Sequence, residues 1–214
     1  VAGDTRFDQV NRIASAVNQF PDVERFVADA KVLLAGSTWE PDERLLKTFI
    51  DQPHNKDIKM IVAPHEIHSE HIDSIQKLFG ARCVKYSELS TMPDVKNYDV
   101  LIIDNIGMLS SLYQYAYVAY IGGGFGKGIH NILEALAFAK PVCFGPNYMK
   151  FQEAKDIIRL QGGVSVSDEQ SLEKVLSFWF IDNEVYVKAA DVCRQYVADN
   201  KGTSDKIMNM LMKL

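Results

Sequence analysis

The sequence predicts an α/β fold built on a doubly wound parallel sheet, with a helical C-terminal tail. Apolar segments of strand length recur between helical patterns, at residues 32–35, 59–63, 100–104, 118–121 and 142–144. Near-continuous apolar runs of this length are typical of parallel strands that are buried on both faces. Repeated strand–helix units of this kind connect through right-handed crossovers, which places helices on both sides of the sheet.

The remaining elements follow from the same patterns. Residues 83–86 are a candidate further strand, and helical patterns cover residues 42–51, 68–79, 109–115, 131–138 and 151–161. From residue 168 onward the pattern is helical, and it ends in a methionine-rich helix over residues 204–214. Methionines of this kind are usually core filler. We expect this last helix either to dock on its own domain or to leave apolar side chains exposed.

Length and composition limit the possible functions. The 214 residues suffice for a single domain, which we divide into a leading segment with helices (1–30), an α/β core (31–167) and C-terminal helices (168–214). A net charge of −5 argues against nucleic-acid binding. The three cysteines are scattered and form no C-x-x-C motif, which argues against disulfide frameworks and zinc sites. Because the chain opens on Val1 rather than Met, we expect a fragment of a longer protein.

The most informative segment is residues 121–146, IGGGFGKGIHNILEALAFAKPVCFGP. The three glycines at 122–124 allow backbone amides to approach a ligand closely. Asn131 is placed to cap or begin the next helix, whose N-terminus would suit a phosphate. Glu134 follows one turn later, and its carboxylate suits a ribose diol. The alternative is a glycine turn that joins a strand to a helix without binding anything.

Two common phosphate-binding loops do not fit this segment. The dinucleotide fingerprint needs glycines at i, i+2 and i+5. When the fingerprint is started at residue 122, 123 or 124, a position that must be glycine is occupied by Lys127, Phe125 or Ile129, respectively. The P-loop needs Gly-Lys followed by Ser or Thr, and here Lys127 is followed by Gly128.

The segment resembles the 3-deoxy-D-manno-octulosonic acid (Kdo) transferases, a GT-B glycosyltransferase family. That family carries Gly-Gly, then Gly-His-Asn-x-Leu-Glu, Gly-Lys-Pro-Val and Gly-Pro. The matching stretches are residues 122–123 (GG), 129–134 (IHNILE), 139–142 (AKPV) and 145–146 (GP). Further similar stretches, in the same order as in the family, are residues 1–8 (VAGDTRFD), 35–40 (AGSTWE) and 104–107 (DNIG). The resemblance thus covers essentially the whole chain.

The resemblance implies a Rossmann-like GT-B C-terminal domain that binds the sugar-nucleotide donor. It implies transfer of Kdo from CMP-Kdo to a lipid A precursor in lipopolysaccharide biosynthesis, without metal or other cofactor. The general base and the acceptor site would belong to the other domain. The full-length enzyme would act at the cytoplasmic side of the bacterial inner membrane. The nucleotide- and sugar-binding residues carried over or placed at strand ends are Ser37, Thr38, Pro64, His65, Ile106, Gly107, Gly122, Gly123, Gly124, His130, Asn131 and Glu134.

This chain also departs from the family pattern. Where the family has Ala-Pro-Arg-His after its second strand, residues 63–66 read APHE, so an arginine that would contact an anion is missing. Ile129, Ala135 and Met108 also replace residues that are common in the family.

Several of these residues have a second interpretation. Ser37 and Thr38 also suit a helix cap together with Glu40. Asp104 is better interpreted as a turn acid than as a ligand-binding acid. The histidines at 65, 68 and 71 suggest a metal site, but the motif is H-E-I-H rather than H-E-x-x-H, so we expect none and place His65 beside the nucleotide base.

Two other classes of function share these features. A GT-B-like enzyme with another donor, such as a UDP-sugar transferase or epimerase, would share Glu134 and the glycines. A nonenzymatic nucleotide-binding module would share the fold but not the phosphate geometry.

Overall fold

The computed structural model describes residues 3–212, so Val1, Ala2, Lys213 and Leu214 lie outside the described residues. Within this range the strands are β1 (Lys31–Thr38), β2 (Ile58–Pro64), β3 (Cys83–Lys85), β4 (Val100–Ile102), β5 (Val118–Ile121), β6 (Val142–Phe144) and β7 (Gly163–Ser165). The helices are α1 (Arg6–Ser15), α2 (Pro21–Val27), α3 (Glu40–Ile50), α4 (Ser69–Phe79), α5 (Leu109–Leu112), α6 (Leu133–Ala137), α7 (Gln152–Arg159), α8 (Glu169–Ile181), α9 (Asn183–Asn200) and α10 (Thr203–Leu211).

All seven strands lie in one parallel sheet of order β3-β4-β2-β1-β5-β6-β7. The chain runs from β1 to one side of the sheet, returns to the other side of β1 with β5, and continues outward. The strand order therefore reverses between β1 and β5. In doubly wound sheets the ligand crevice lies at this reversal, beyond the carboxyl ends of the strands. The predicted fold class, a doubly wound parallel sheet with a helical C-terminal tail, is confirmed.

Two apolar layers cover the sheet, one on each face. Alternate residues of β1 belong to different layers, with Val32 and Leu34 in one and Leu33 and Ala35 in the other. This alternation follows from the two-residue period of a strand. Helices α3, α4 and α8 cover the second face, while α1, α2, α6 and α7 cover the first. Both faces are buried, as the apolar strand sequences predict.

The element boundaries differ from the predicted ones in two informative places. Strand β7 was not predicted, because its sequence, GVS, begins with a glycine and shows no apolar run. Helix α6 begins at Leu133 rather than at Asn131 and spans only five residues. Its shortness matters for function, because a helix of one and a half turns has little aligned dipole to offer a phosphate.

The C-terminal helix combines the two predicted possibilities. Its start docks on α1, where the Asp8 carboxylate accepts hydrogen bonds from the Gly202 and Ser204 N–H groups. Its methionines are not core filler: Met208, Met210 and Met212 are 56%, 60% and 72% exposed. In the part of the chain that the structure describes, no helix combines the length and hydropathy needed to cross a membrane.

The carboxyl ends of β1, β5 and β6 approach one another so closely that glycine is required. A Cβ atom built on Gly122 would lie 2.2 Å from the Ser37 carbonyl oxygen. One built on Gly124 would lie 2.6 Å from the Gly145 Cα. These contacts involve backbone atoms that cannot rotate away. The run of glycines therefore has a structural role whether or not a ligand is bound.

We predict that Gly122→Ala destabilises the protein whereas Gly126→Ala does not. The alanine methyl at position 122 would overlap the β1 backbone, and overpacking of this kind costs about 1–3 kcal/mol. At Gly126 the nearest atom to a built Cβ is 3.6 Å away, so the substitution is neutral or stabilises by up to about 1 kcal/mol through the unfolded state. Urea denaturation of both variants measures the difference. Equal stability of the two variants would contradict the packing argument.

Candidate functional site

Two adjoining clefts open at the carboxyl edge of the sheet, where β1 and β5 separate. The larger has a volume of about 610 Å³ and lies between the start of α3 and residues 122–128, which we call the glycine loop. The smaller, of about 350 Å³, lies between the loops that follow β1, β2 and β4. His65 lines both clefts and marks the place where they meet.

A buried carboxylate, Asp42, organises the larger cleft. It is 1% exposed and lies in the first turn of α3. One of its oxygens accepts hydrogen bonds from the Trp39 N–H at 3.0 Å and the Gly123 N–H at 2.9 Å. The other accepts from the Tyr120 hydroxyl at 2.7 Å. This carboxylate therefore joins the start of α3 to β5 and to the glycine loop.

A second buried acid, Glu43, supports the end of β1. It accepts hydrogen bonds from the Thr38 hydroxyl at 2.9 Å and from His71 at 3.1 Å. Burial raises the pKa of Glu43, and the nearby His71 and the Thr38 hydroxyl oppose that rise. The predicted capping role of Ser37 and Thr38 with Glu40 is wrong. Trp39 is the cap residue and Asp42 accepts its N–H, while the Thr38 hydroxyl is turned inward to Glu43.

Three rings line the meeting point of the clefts. The Trp39 and His65 rings lie 4.8 Å apart between centroids, and the His65 and His130 rings stack at 4.3 Å. The Trp39 indole N–H donates to His130 Nε2 at 3.3 Å, so the proton of neutral His130 sits on Nδ1. Burial lowers the pKa of His130, and the adjacent His65 lowers it further while Asp42 raises it. His130 is therefore held neutral near physiological pH.

The smaller cleft is mostly apolar. Its lining includes the predicted residues Ser37, Pro64, His65, Ile106 and Gly107. Ile106 is 85% exposed at its edge. An apolar side chain so exposed at the mouth of a cleft suits a flat aromatic ligand. The cleft contains no lysine or arginine side chain.

The glycine loop offers fewer backbone donors than predicted. The Gly122 N–H is bonded to the Gly36 carbonyl at 2.9 Å, and the Gly123 N–H to Asp42. Among the described residues, the N–H groups of Gly124, Phe125 and Lys127 donate no hydrogen bond. This corrects the expectation that all three glycine amides at 122–124 face a phosphate. The assignment of Gly122, Gly123 and Gly124 to a binding site stays a prediction.

Asn131 and Glu134 lie together at the start of α6, Asn131 just before the helix and Glu134 in its first turn. The Asn131 side-chain oxygen accepts the Leu133 N–H at 3.0 Å, so Asn131 stabilises the start of the helix from two residues before it. Its amide donates to Glu134 at 3.3 Å. Burial raises the pKa of Glu134, and this bond opposes the rise. Burial raises the pKa of Tyr113, and the nearby Glu134 carboxylate raises it further; the Tyr113 hydroxyl lies against Gly36 at the end of β1.

The structure brings most of the predicted residues to one edge but in different settings. Ser37, Pro64, His65, Ile106, Gly107, Gly123 and His130 line the two clefts. Thr38, Gly122 and Gly124 are buried behind this surface. Asn131 and Glu134 line neither cleft: Asn131 lies in the loop before α6, and Glu134 lies in the first turn of α6. The predicted binding role of each remains a prediction.

Sequence reasoning missed the two buried acids, Asp42 and Glu43, and the exposed ring of Trp39. The available signal for Asp42 was its position three residues after Trp39, where a side chain can accept the N–H of the residue before the helix. The sequence WEPDE instead suggests an exposed acidic helix start. The partners that make Asp42 buried, Tyr120 and Gly123, are 78 and 81 residues away in sequence.

The other weighed acids and histidines have structural partners. The Asp104 carboxylate accepts the Ser87 N–H at 3.0 Å, so it has a structural partner, but this partner is 17 residues away rather than in the local turn. His68 accepts the His71 N–H as the cap of α4, and His71 bonds Glu43. Within residues 3–212, no group of three His, Cys, Asp or Glu side chains is placed to hold a metal ion.

Comparisons with known proteins find 3-deoxy-D-manno-octulosonic acid transferases among the relatives of this chain. No family model matches the chain. A 3-deoxy-D-manno-octulosonic acid transferase of Rickettsia conorii is 25% identical over 86% of this chain and 40% of its own length. The protein of the same name from Rickettsia prowazekii is 30% identical over 69% of this chain and 32% of its own. The chain thus spans less than half the length of these curated relatives.

A solved structure has the same fold. The C-terminal CMP-Kdo binding domain of WaaA from Acinetobacter baumannii superposes with a TM-score of 0.63 and 20% identity, covering 87% of this chain and 99% of that domain. The similarity to the C-terminal half of Kdo transferases, predicted from the sequence motifs, is confirmed.

We predict that Asp42→Ala is strongly destabilising and that Asp42→Asn is much less so. Alanine leaves the Trp39 and Gly123 N–H groups buried without an acceptor, at about 1–3 kcal/mol each. Asparagine keeps one oxygen for both amides and turns its NH₂ toward the Tyr120 oxygen. Urea denaturation with both variants measures the effect. A loss of stability in the asparagine variant equal to that in the alanine variant would show that the two amide bonds are not what Asp42 contributes.

Proposed function

We propose that this chain is the donor-binding half of a glycosyltransferase that moves Kdo from CMP-Kdo to a lipid A precursor. The observation that carries the proposal is a GT-B-like sheet whose two clefts meet at the β1–β5 reversal, beside the motif 129–134 (IHNILE). The Kdo-transferase relatives and the CMP-Kdo binding domain of the Acinetobacter protein support this choice of donor.

In this proposal the nucleoside occupies the smaller cleft. The apolar walls formed by Pro64 and Ile106 would contact the base, and His65 would face it at the inner end. The ribose would extend toward Glu134, whose half-buried carboxylate can accept hydrogen bonds from a diol. The phosphate would lie where the clefts meet, within reach of the free amides near Gly124 and of His130.

The chemistry of transfer is displacement at the anomeric carbon. An acceptor hydroxyl forms the new bond while the bond from this carbon to the phosphate oxygen breaks, and CMP leaves with the electron pair. Preorganised N–H donors at the glycine loop would stabilise the charge that develops on the departing phosphate. The general base, the acceptor site and the association with the inner membrane are proposed to belong to other parts of the full-length enzyme. This chain is therefore expected to bind CMP without catalysing transfer.

We predict that CMP binds more tightly than cytidine, UMP, GMP or AMP. The comparison with cytidine isolates the phosphate, since charge-assisted hydrogen bonds contribute about 1.5–3 kcal/mol. The comparison among nucleotides isolates the base, and it separates a CMP-sugar enzyme from a UDP-sugar enzyme and from an unselective nucleotide-binding module. Isothermal titration calorimetry measures all five ligands. Equal affinity for cytidine and CMP, or preference for another base, would contradict the proposal, as would Kdo transfer by this chain alone.

We predict that Glu134→Gln lowers CMP affinity by about 1.5–3 kcal/mol, because glutamine loses the charged acceptor for the ribose. In the native protein, affinity should also fall as the pH drops through the pKa of Glu134. Burial raises this pKa, so the fall begins above the usual glutamate range. The glutamine variant should lack this component of the pH dependence.

Two controls test this prediction: one uses a modified ligand, and the other uses a glutamine variant at a second glutamate. The native protein should bind 2′-deoxy-CMP more weakly than CMP. The Glu134→Gln variant should bind the two ligands with almost equal affinity. Glu40→Gln alters an exposed carboxylate paired with Arg44 and should leave CMP affinity unchanged. If native protein binds both ligands equally and Glu134→Gln has no effect, the ribose assignment is wrong.

A further inference from the structure

We propose that the larger cleft binds the acidic sugar of the donor, with Trp39 as the stacking surface for the sugar ring and Lys127 as the partner of its carboxylate. This proposal rests on the proposed function, because it takes the nucleotide to occupy the smaller cleft. It assigns a separate role to a cleft that the nucleotide does not need.

The two clefts differ in chemistry in the way that the two parts of such a donor differ. The smaller cleft has apolar walls and no lysine or arginine, which suits an uncharged base. The larger cleft has nearly twice the volume and includes Lys127, whose ammonium forms no ion pair among the described residues. Kdo is a carboxylic acid with several hydroxyl groups. Its negative charge favours the cleft that contains a cation.

Trp39 presents a fixed aromatic surface to the larger cleft. Its side chain is 36% exposed although it lies beside a buried helix start. A tilted ring contact with His65 and the indole hydrogen bond to His130 hold the Trp39 ring in place, and the Trp39 backbone N–H is bound to Asp42. An immobilised, amphipathic ring offers contact area at a small entropic cost. Such a surface suits the C–H face of a sugar ring.

The donors for a carboxylate lie on the opposite wall. The N–H groups of Phe125 and Lys127 donate no hydrogen bond among the described residues, and both residues line the cleft. The Asp42 carboxylate also borders the cleft, but it is 1% exposed and its two oxygens accept three hydrogen bonds. An incoming carboxylate would therefore meet the ammonium group and the free amides of the glycine loop. His65 stands at the position of the missing arginine, so Lys127 is the one lysine or arginine among the residues that line either cleft.

The connection between the clefts matches the connection within the donor. The phosphate joins the nucleoside to the sugar, and His65 joins the two clefts. A donor laid across His65 would place its base against Ile106 and its sugar against Trp39. The anomeric carbon would then face outward from the edge of the sheet, where an acceptor can reach it.

The experiment compares CMP with two analogues by isothermal titration calorimetry. One is a phosphonate of CMP-Kdo in which carbon replaces the labile bridging oxygen, and the other is the same compound with its carboxylate converted to a carboxamide. We expect the acid analogue to bind about 10- to 100-fold more tightly than CMP, and the carboxamide to lose most of this gain. Lys127→Ala and Trp39→Ala should reduce the gain of the acid analogue over CMP. Lys174→Ala, an exposed lysine on α8, should preserve it.

Each outcome decides between the two proposals. If no ligand binds, the proposed nucleotide site is wrong and the sugar site fails with it. If CMP binds but the acid analogue gains nothing, or if Lys127→Ala leaves the gain intact, the sugar site is wrong while the nucleotide site stands. Trp39→Phe keeps a ring but not the indole N–H. It should retain more of the gain than Trp39→Ala, which separates stacking from a loss of local structure.

Discussion

The arrangement of this edge of the molecule depends on one buried carboxylate. Among the described residues Asp42 has no cationic partner, and it is stabilised by three hydrogen bonds, from Trp39, Gly123 and Tyr120. Two of these donors are backbone groups on segments that are distant in sequence, so the carboxylate fixes their relative position. A buried charge must be satisfied in this way or be neutralised. The glycines at 122 and 124 make the same junction possible by letting β5 approach the ends of β1 and β6.

This junction explains how a short motif can serve a binding site. The Gly122 and Gly123 amides are used inside the protein, and the Gly126 and Gly128 N–H groups donate to the Gly123 carbonyl, so the glycine loop has a fixed course. Among the described residues, the Phe125 and Lys127 N–H groups of this loop donate no hydrogen bond. The same carboxylate accepts the backbone N–H of Trp39 and so fixes the residue that presents the indole ring. The two sides of the larger cleft are therefore positioned by a single interaction. Preorganisation of this kind reduces the entropy that a ligand must overcome on binding.

Much of the fold could be predicted from the sequence, because each buried parallel strand is a continuous run of apolar residues. Strand β7 could not, since Gly163 packs by having no side chain and its pairing with Val142 is set by the neighbouring strand. The late start of α6 could not be predicted either. It depends on the Asn131 side chain, which accepts the Leu133 N–H just before the helix begins.

The candidate site was predicted in outline for a related reason. The motifs at strand ends share one edge by topology, so Ser37, His65 and His130 could be placed together without a structure. The burial of Asp42, the inward turn of Thr38 and the stacking of His65 on His130 arise from contacts between distant segments. No local pattern contains that information.

We propose that the meeting point of the two clefts receives the phosphate of a CMP-sugar. A crystal structure of this chain with CMP tests this proposal. We expect the base in the smaller cleft, the ribose hydroxyls on Glu134 and the phosphate between His65 and residues 124–131. A structure with the nucleotide bound elsewhere, or with the phosphate away from this loop, would contradict the account.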